Sequence, residues 1–184
     1  IANAKSLSES EQIERSLVFA SVAEKQEKYD MAILALNDLI EQWKGKPELL
    51  TEPWLRLSRI HQKQKKFDQA LAWSQKAIAV IKQTPTLLKE STAREALELN
   101  GDLLVQSGKS AEAIDSYKLL IEKFSEDASV ASIRYKLGKI YFDGQNIRDA
   151  TRVWTDLKSD KGSELWTKMA DEQLAEAKWQ SKYN

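Results

Sequence analysis

The sequence predicts an all-α solenoid, a row of stacked helical hairpins closed by a final helix. Three observations carry that expectation. Pairs of small residues recur twelve positions apart, four times along the chain. Turn-prone segments separate the members of each pair. Glycine (6) and proline (3) are scarce in 184 residues while charged residues reach 30%, a mixture suited to long helices rather than to strands or disorder.

The pairs are Ala20 and Ala32, Ser58 and Ala70, Gly101 and Ala113, and Gly138 and Ala150. Their first members stand at 20, 58, 101 and 138, so the unit restarts after 38, 43 and 37 residues, the range of a two-helix repeat. One position before the first members come Phe19, Leu57, Asn100 and Leu137; seven after the second come Leu39, Ala77, Leu120 and Leu157. Spacings of three, four and seven hold these residues on one helical stripe. Small residues at one level let two antiparallel helices approach, and the larger neighbours fill the groove around them. The segments EKQEKYD, KQKKFD, QSGKSAE and FDGQNIRD supply the turns, with Asp143-Gly144 ending a helix. Asp30, Asp68 and Asp149 then place negative charge at the positive end of each following helix dipole. One hairpin exposes an apolar face, so each must stack on the next.

The ends need their own solutions. At the C-terminus, residues 163–183 carry Trp166, Met169, Ala170, Leu174 and Ala177 at helical spacing, with Leu165 and Trp179 broadening the stripe, as a capping helix requires. At the N-terminus, Ser8 and Glu11 form a capping box before the first helix, and residues 1–7 are expected to fray. The chain opens on Ile1 with neither methionine nor a signal-like segment, as a processed chain or an excised fragment would.

Composition narrows the chemistry. Without cysteine the chain has neither disulfides nor thiolate metal sites. Its 28 basic and 28 acidic residues balance, which argues against a generic nucleic-acid or anionic-membrane binder. The stretch from Lys44 to Lys66 holds seven basic and two acidic residues, but its lysines cluster at turns and it reads as a solvated edge. No apolar run approaches the roughly 18 residues of a membrane span. Neither a glycine-rich phosphate loop nor a calcium-loop pattern occurs, so no cofactor and no metal are expected. The single histidine, His61, falls on the packing stripe, and no nucleophile–histidine set forms around it. Trp54, Trp73, Trp154 and Trp166 lie on or near that stripe as core residues, whereas Trp43 and Trp179 sit near helix ends.

These residues resemble the tetratricopeptide repeat pattern, W-x2-L-G-x2-Y followed by A-x3-F and P. Trp54-x2-Leu57-Ser58-x2-His61 with Ala70 matches it, as do Leu137-Gly138-x2-Tyr141 with Ala150-x3-Trp154 and Gly101-x2-Leu104 with Ala113-x3-Tyr117. The first copy, Ala20-x2-Ala23 with Ala32-x3-Leu36, is the most degenerate. The resemblance implies a right-handed superhelix in one domain over 1–184, with repeats at about 13–46, 51–84, 94–126 and 131–160 and the cap at about 163–183. His61 then occupies a packing aromatic's place. The closing proline is absent from its expected places, which hold Lys44, Lys82, Ser125 and Gly162. Pro47 and Pro85 come three residues late, so the first two second-helices should run nearly a turn longer. Residues 86–108 read as an overlong first helix, making the joint between repeats two and three irregular.

The resemblance also implies a concave groove lined by the first helices. Its positions carry Leu17, Ser21 and Glu24, then Leu55, Arg56, Arg59, Gln62 and Lys63. Glu95, Glu98, Asp102 and Gln106 follow, then Tyr135, Lys136, Lys139 and Phe142. The bands run basic, acidic and basic. Such a groove would take an extended or helical peptide, charges fixing register and Tyr135 or Phe142 anchoring it. The competing reading is that Arg56 and Arg59 pair with Glu95, Glu98 or Asp102 on the neighbouring helix. The lysine-and-asparagine clamp of the family's chaperone-tail adaptors is not matched, since Leu17, Ser21, Arg59 and Glu95 occupy its places.

The expected function is a non-catalytic protein-interaction module within a larger assembly, with another protein or peptide as partner. The rivals are a self-assembling protein, stacked through its ends or convex face, and a peptide-sensing regulatory domain of a longer chain. In style the degenerate repeats resemble those of bacterial envelope proteins, which favours periplasm or envelope over cytoplasm.

Overall fold

Where a hairpin of this chain carries a glycine at its helix crossing, the side chain filling the crossing comes from sixteen residues beyond it. A computed structural model describes residues 8–84 and 90–183. Pro85, the start of the helix expected from residue 86, and the fraying expected of residues 1–7 lie outside the described residues. So does the side chain of Ala177.

Nine α-helices form among the described residues: α1 Glu9–Lys25, α2 Tyr29–Gln42, α3 Thr51–Lys63, α4 Phe67–Gln83, α5 Glu90–Gln106, α6 Ser110–Lys123, α7 Val130–Asp143, α8 Ile147–Asp156 and α9 Glu164–Tyr183. The chain forms two compact units, Ile1–Ala96 and Leu97–Asn184, divided inside α5.

All four twelve-residue pairs are buried. The residues sixteen positions beyond the first members are Leu36, Ser74, Tyr117 and Trp154, so the two aromatics follow the two glycines. Ala20 of α1 shares a core with Ala32 and Leu36 of α2. Ser58 Oγ donates to the carbonyl of Ala70 at 2.8 Å, with Ser74 buried beyond. Where glycine stands, the partner is an aromatic. A Cβ at Gly101 would overlap the ring of Tyr117, and one at Gly138 the indole of Trp154. At these two levels the glycine makes room for one particular side chain of the facing helix.

The turns within the hairpins share one geometry. The residues with positive φ are Glu27 (57°), Lys65 (60°), Gly108 (72°) and Gln145 (61°). The next residue's N–H reaches back five positions each time: Lys28 to Ala23, Lys66 to His61, Lys109 to Leu104 and Asn146 to Tyr141, at 2.8 to 2.9 Å. With the bonds from Glu27 to Glu24 and from Gln145 to Phe142, this closes each first helix as a Schellman motif. Asp143-Gly144 ends α7 as expected; Gly144 itself has φ −79°, and Gln145 takes the left-handed position. A side chain there costs about 1 kcal/mol, which glycine avoids. Gln145→Gly is therefore expected to stabilise the chain by roughly 0.5–1 kcal/mol in urea titration, net of its extra unfolded-state freedom.

The helix ends follow the sequence in most respects. Ser8 caps α1: its Oγ accepts from Glu11 N–H at 3.3 Å, while Glu11 Oε2 accepts from Ser8 N–H at 2.7 Å. Asp30, Asp68 and Asp149 lie in the first turns of α2, α4 and α8. The expected lengthening holds for α4, which runs to Gln83, but not for α2. That helix stops at Gln42, and Pro47 opens a separate 3-10 turn, Pro47–Leu49, leading into α3. At the far end Ala170 of α9 is buried with Trp154 and Leu157, and Trp166 and Leu174 pack around them. Leu165 does not join that stripe; like Trp179 it is exposed.

Candidate functional site

In the first unit the charges expected to line a groove are largely paired with one another. Arg56 of α3 reaches Glu24 of α1 at 3.5 Å and Glu52 of its own helix at 2.9 Å. Arg59 pairs with Glu95 of α5. Lys63, one turn on, is exposed and has no ion pair among the described residues. Leu55, expected on the same face, is fully buried and lines no surface.

The second unit gathers its residues more closely. Asp102 of α5 accepts from Lys136 Nζ of α7 at 2.8 and 3.0 Å, and from the buried hydroxyl of Tyr117 at 2.5 Å. Lys136 also reaches Glu98 at 3.1 Å. Burial opposes the charge of Lys136, but Asp102 and Glu98 outweigh it and hold its pKa above the ordinary lysine value. Burial, reinforced by the charge of Asp102, pushes the Tyr117 phenol far up. Lys139 pairs with Asp143 and lies 5.6 Å from the ring centre of Phe142.

Tyr135 and Phe142, expected as anchors, are half-buried against tryptophans. Tyr135 stacks on Trp154 at 5.9 Å and meets Trp166 at 5.4 Å, and its carbonyl accepts from the Trp154 indole at 3.1 Å. Phe142 lies 5.6 Å from Trp154. Beside them opens a cleft of about 240 Å³ lined by Asp102, Val105, Tyr135, Lys136, Lys139 and Ile140. It has aliphatic walls and a charged rim. Six of the ten predicted groove residues thus fall in the second unit: Asp102, Tyr135, Lys136 and Lys139 line this cleft, and Glu98 and Phe142 lie against Lys136 and Lys139. Val105 and Ile140, which sequence reasoning missed, are marked only by sitting one turn on from Asp102 and Lys136.

His61 is buried in α3, as its place on the packing stripe requires. Burial, helped by the nearby charge of Lys66, lowers its pKa. A histidine held neutral in the fold adds stability above its unfolded pKa of about 6.5, and that stability is lost as pH falls toward the depressed folded value. Thermal melts are expected to show Tm falling below about pH 6.5, with the slope reduced in His61→Tyr. No group of three or more histidine, aspartate or glutamate side chains capable of holding a metal occurs among the described residues, and none of their helices is long and apolar enough to cross a membrane.

Antiparallel hairpins with a small residue in each helix and a repeated Schellman turn between the two helices are the features of tetratricopeptide repeats. The tetratricopeptide repeat-like domain matches residues 9–141, and the chain belongs to that family. Its members generally mediate protein–protein interaction and are typically non-catalytic. Solved structures agree on the fold. The crystal structure of MamA protein is 17% identical, covering 95% of this chain and 88% of its own, with a TM-score of 0.70. BtubC (BKLC) from P. vanneervenii, also 17% identical, covers 88% of this chain and 70% of its own at 0.70. The nearly identical TPR-like repeats of a Podosopora anserina putative kinesin light chain are 14% identical, covering 94% and 86% at 0.66. Among curated proteins no sequence matches.

Proposed function

We propose that this chain is a non-catalytic interaction module that holds an extended or helical peptide of a partner protein against its first-helix faces, within a larger assembly. The observation that carries this reading is the cleft beside Tyr135. It combines aliphatic walls from Val105 and Ile140 with charges from Asp102, Lys136 and Lys139, which suits one bulky apolar side chain of a peptide and fixes its register. In the first unit Arg56, Arg59, Lys63 and Glu95 form the charged face of the same reading, with Lys63 the cation left for a partner.

The paired carboxylates and lysines temper the electrostatic part. Exposed pairs contribute about 0–1 kcal/mol each, so the apolar side chain should supply most of the affinity. Capture from the source organism's lysate, followed by calorimetric titration of the captured protein, tests the reading. Val105→Glu with Lys139→Glu should weaken binding about tenfold or more with helicity unchanged. Undiminished binding by that variant would remove the cleft from the function. The repeat style supports a place in the bacterial envelope, which fractionation of the source organism tests.

A further inference from the structure

Five of the nine large apolar side chains exposed among the described residues lie on the first hairpin: Val18 (56%), Phe19 (48%), Val22 (49%), Met31 (48%) and Leu34 (64%). Scattered singly they would mean little; grouped, they mark an interaction surface. At about 100° per residue, Arg15, Phe19 and Val22 share one stripe of α1, and Met31, Leu34 and Asp38 one stripe of α2. Where the stripes reach Arg15 and Asp38 a cleft of about 400 Å³ opens, with Arg15 and Phe19 on one wall and Asp38 on the other. Phe19 is the one exposed apolar side chain that lines it, and Val22, Met31 and Leu34 lie further along the stripes. The opposite faces of the two helices, including Leu17, Ala20, Leu36 and Ile40, pack into the core with Leu57 and Ile60 of α3. The apolar stripes therefore face away from α3.

The equivalent positions elsewhere show how such a face is normally covered. Thirty-eight residues after Arg15, Phe19 and Val22 come Pro53, Leu57 and Ile60, all buried in α3, which packs against α2. In α7 the matching Ile133 and Leu137 are buried, and α6 packs against that helix. In α1 the same stripe is apolar and open.

The charges indicate the occupant. Arg15 and Asp38 stand on opposite helices of the same cleft, and neither has an ion pair among the described residues. A cleft with one unpaired cation on one wall and one unpaired anion on the other, continued by exposed apolar side chains on both helices, is self-complementary under a two-fold rotation. Arg15 of each copy then faces Asp38 of the other, while Phe19, Val22, Met31 and Leu34 meet about the axis. A partner of different sequence would require no such balance. We infer that this face is the interface of a two-fold symmetric homodimer, first hairpin against first hairpin.

Sedimentation equilibrium of the full chain tests it. The mass is expected to rise with concentration from 21.0 kDa toward twice that value. Phe19→Glu and Leu34→Glu should each weaken dimerisation about tenfold or more with helicity unchanged, since both side chains are exposed. Arg15→Asp and Asp38→Arg should each lose the homodimer, because like charges then meet at both ends. Mixing these two variants should restore it as a heterodimer, because both contacts regain opposite signs. A single 21.0 kDa species up to about 1 mM, the weak end of specific association, overturns the inference and leaves the face to a helix of another protein. A dimer indifferent to Phe19→Glu, or variants that fail to recombine, overturns it equally.

Discussion

Gly138→Ala is expected to destabilise the second unit by about 2–3 kcal/mol, and Gly138→Leu by more. Elsewhere in a helix, exchanging glycine for alanine gains nearly 1 kcal/mol of propensity, so a net loss would be diagnostic of crowding. The crowding has a named source: the new Cβ falls on the indole of Trp154. That ring cannot swing aside freely, because its N–H donates to the Tyr135 carbonyl and its faces meet Tyr135 and Phe142. Trp154→Leu alone should cost about 2–4 kcal/mol through lost volume. Combined with Gly138→Ala, however, it recreates the alanine–leucine pair that Ala20 and Leu36 form in the first hairpin. The double variant should therefore be at least about 1 kcal/mol more stable than the sum of the single losses. Additive losses in urea titration would mean that the glycine and the tryptophan do not share one space.

The same complementarity explains what the sequence could convey. The twelve-residue pairs are visible in one dimension, and both members of all four are buried, so the helix faces that meet were readable. The turns were less so. Glu27, Lys65 and Gln145 hold the left-handed position that only Gly108 advertises, because the hydrogen bonds at the helix end outweigh the local backbone cost. At the candidate site, residue types were legible and partners were not. Arg56 finds Glu24 and Glu52 rather than the acidic side chains of α5, while Arg59 does reach Glu95. Which of several carboxylates within a long side chain's range is chosen depends on rotamers, not spacing. Phe19 shows the opposite limit. It occupies the position of the buried Leu57 and Leu137, yet it is 48% exposed.

Asp102→Ala is expected to cost about 2–3 kcal/mol at neutral pH, more than removal of any exposed charge in the chain. Three hydrogen bonds converge on this carboxylate, two from Lys136 and one from Tyr117. Its loss leaves a buried phenol without an acceptor and Lys136 with Glu98 alone. The Lys136 side chain retains 33% exposure, which moderates the penalty below that of a fully buried broken pair. Asp102→Asn keeps an acceptor for Tyr117 and should cost roughly half as much. Alkaline titration separates the two donors. Tyr117 and Lys136 both have folded pKa values above their unfolded ones, so the stability they contribute is complete below about pH 10 and declines as pH rises further. In Asp102→Ala the lysine contribution should disappear while that of the tyrosine, set first by burial, persists; Tyr117→Phe should do the reverse. Urea titrations at about pH 7 and 10.5 read both effects. If Asp102→Ala left the alkaline decline unchanged, Asp102 would not be what holds the charge of Lys136, and the rim of the cleft would owe its order to packing around Trp154 instead.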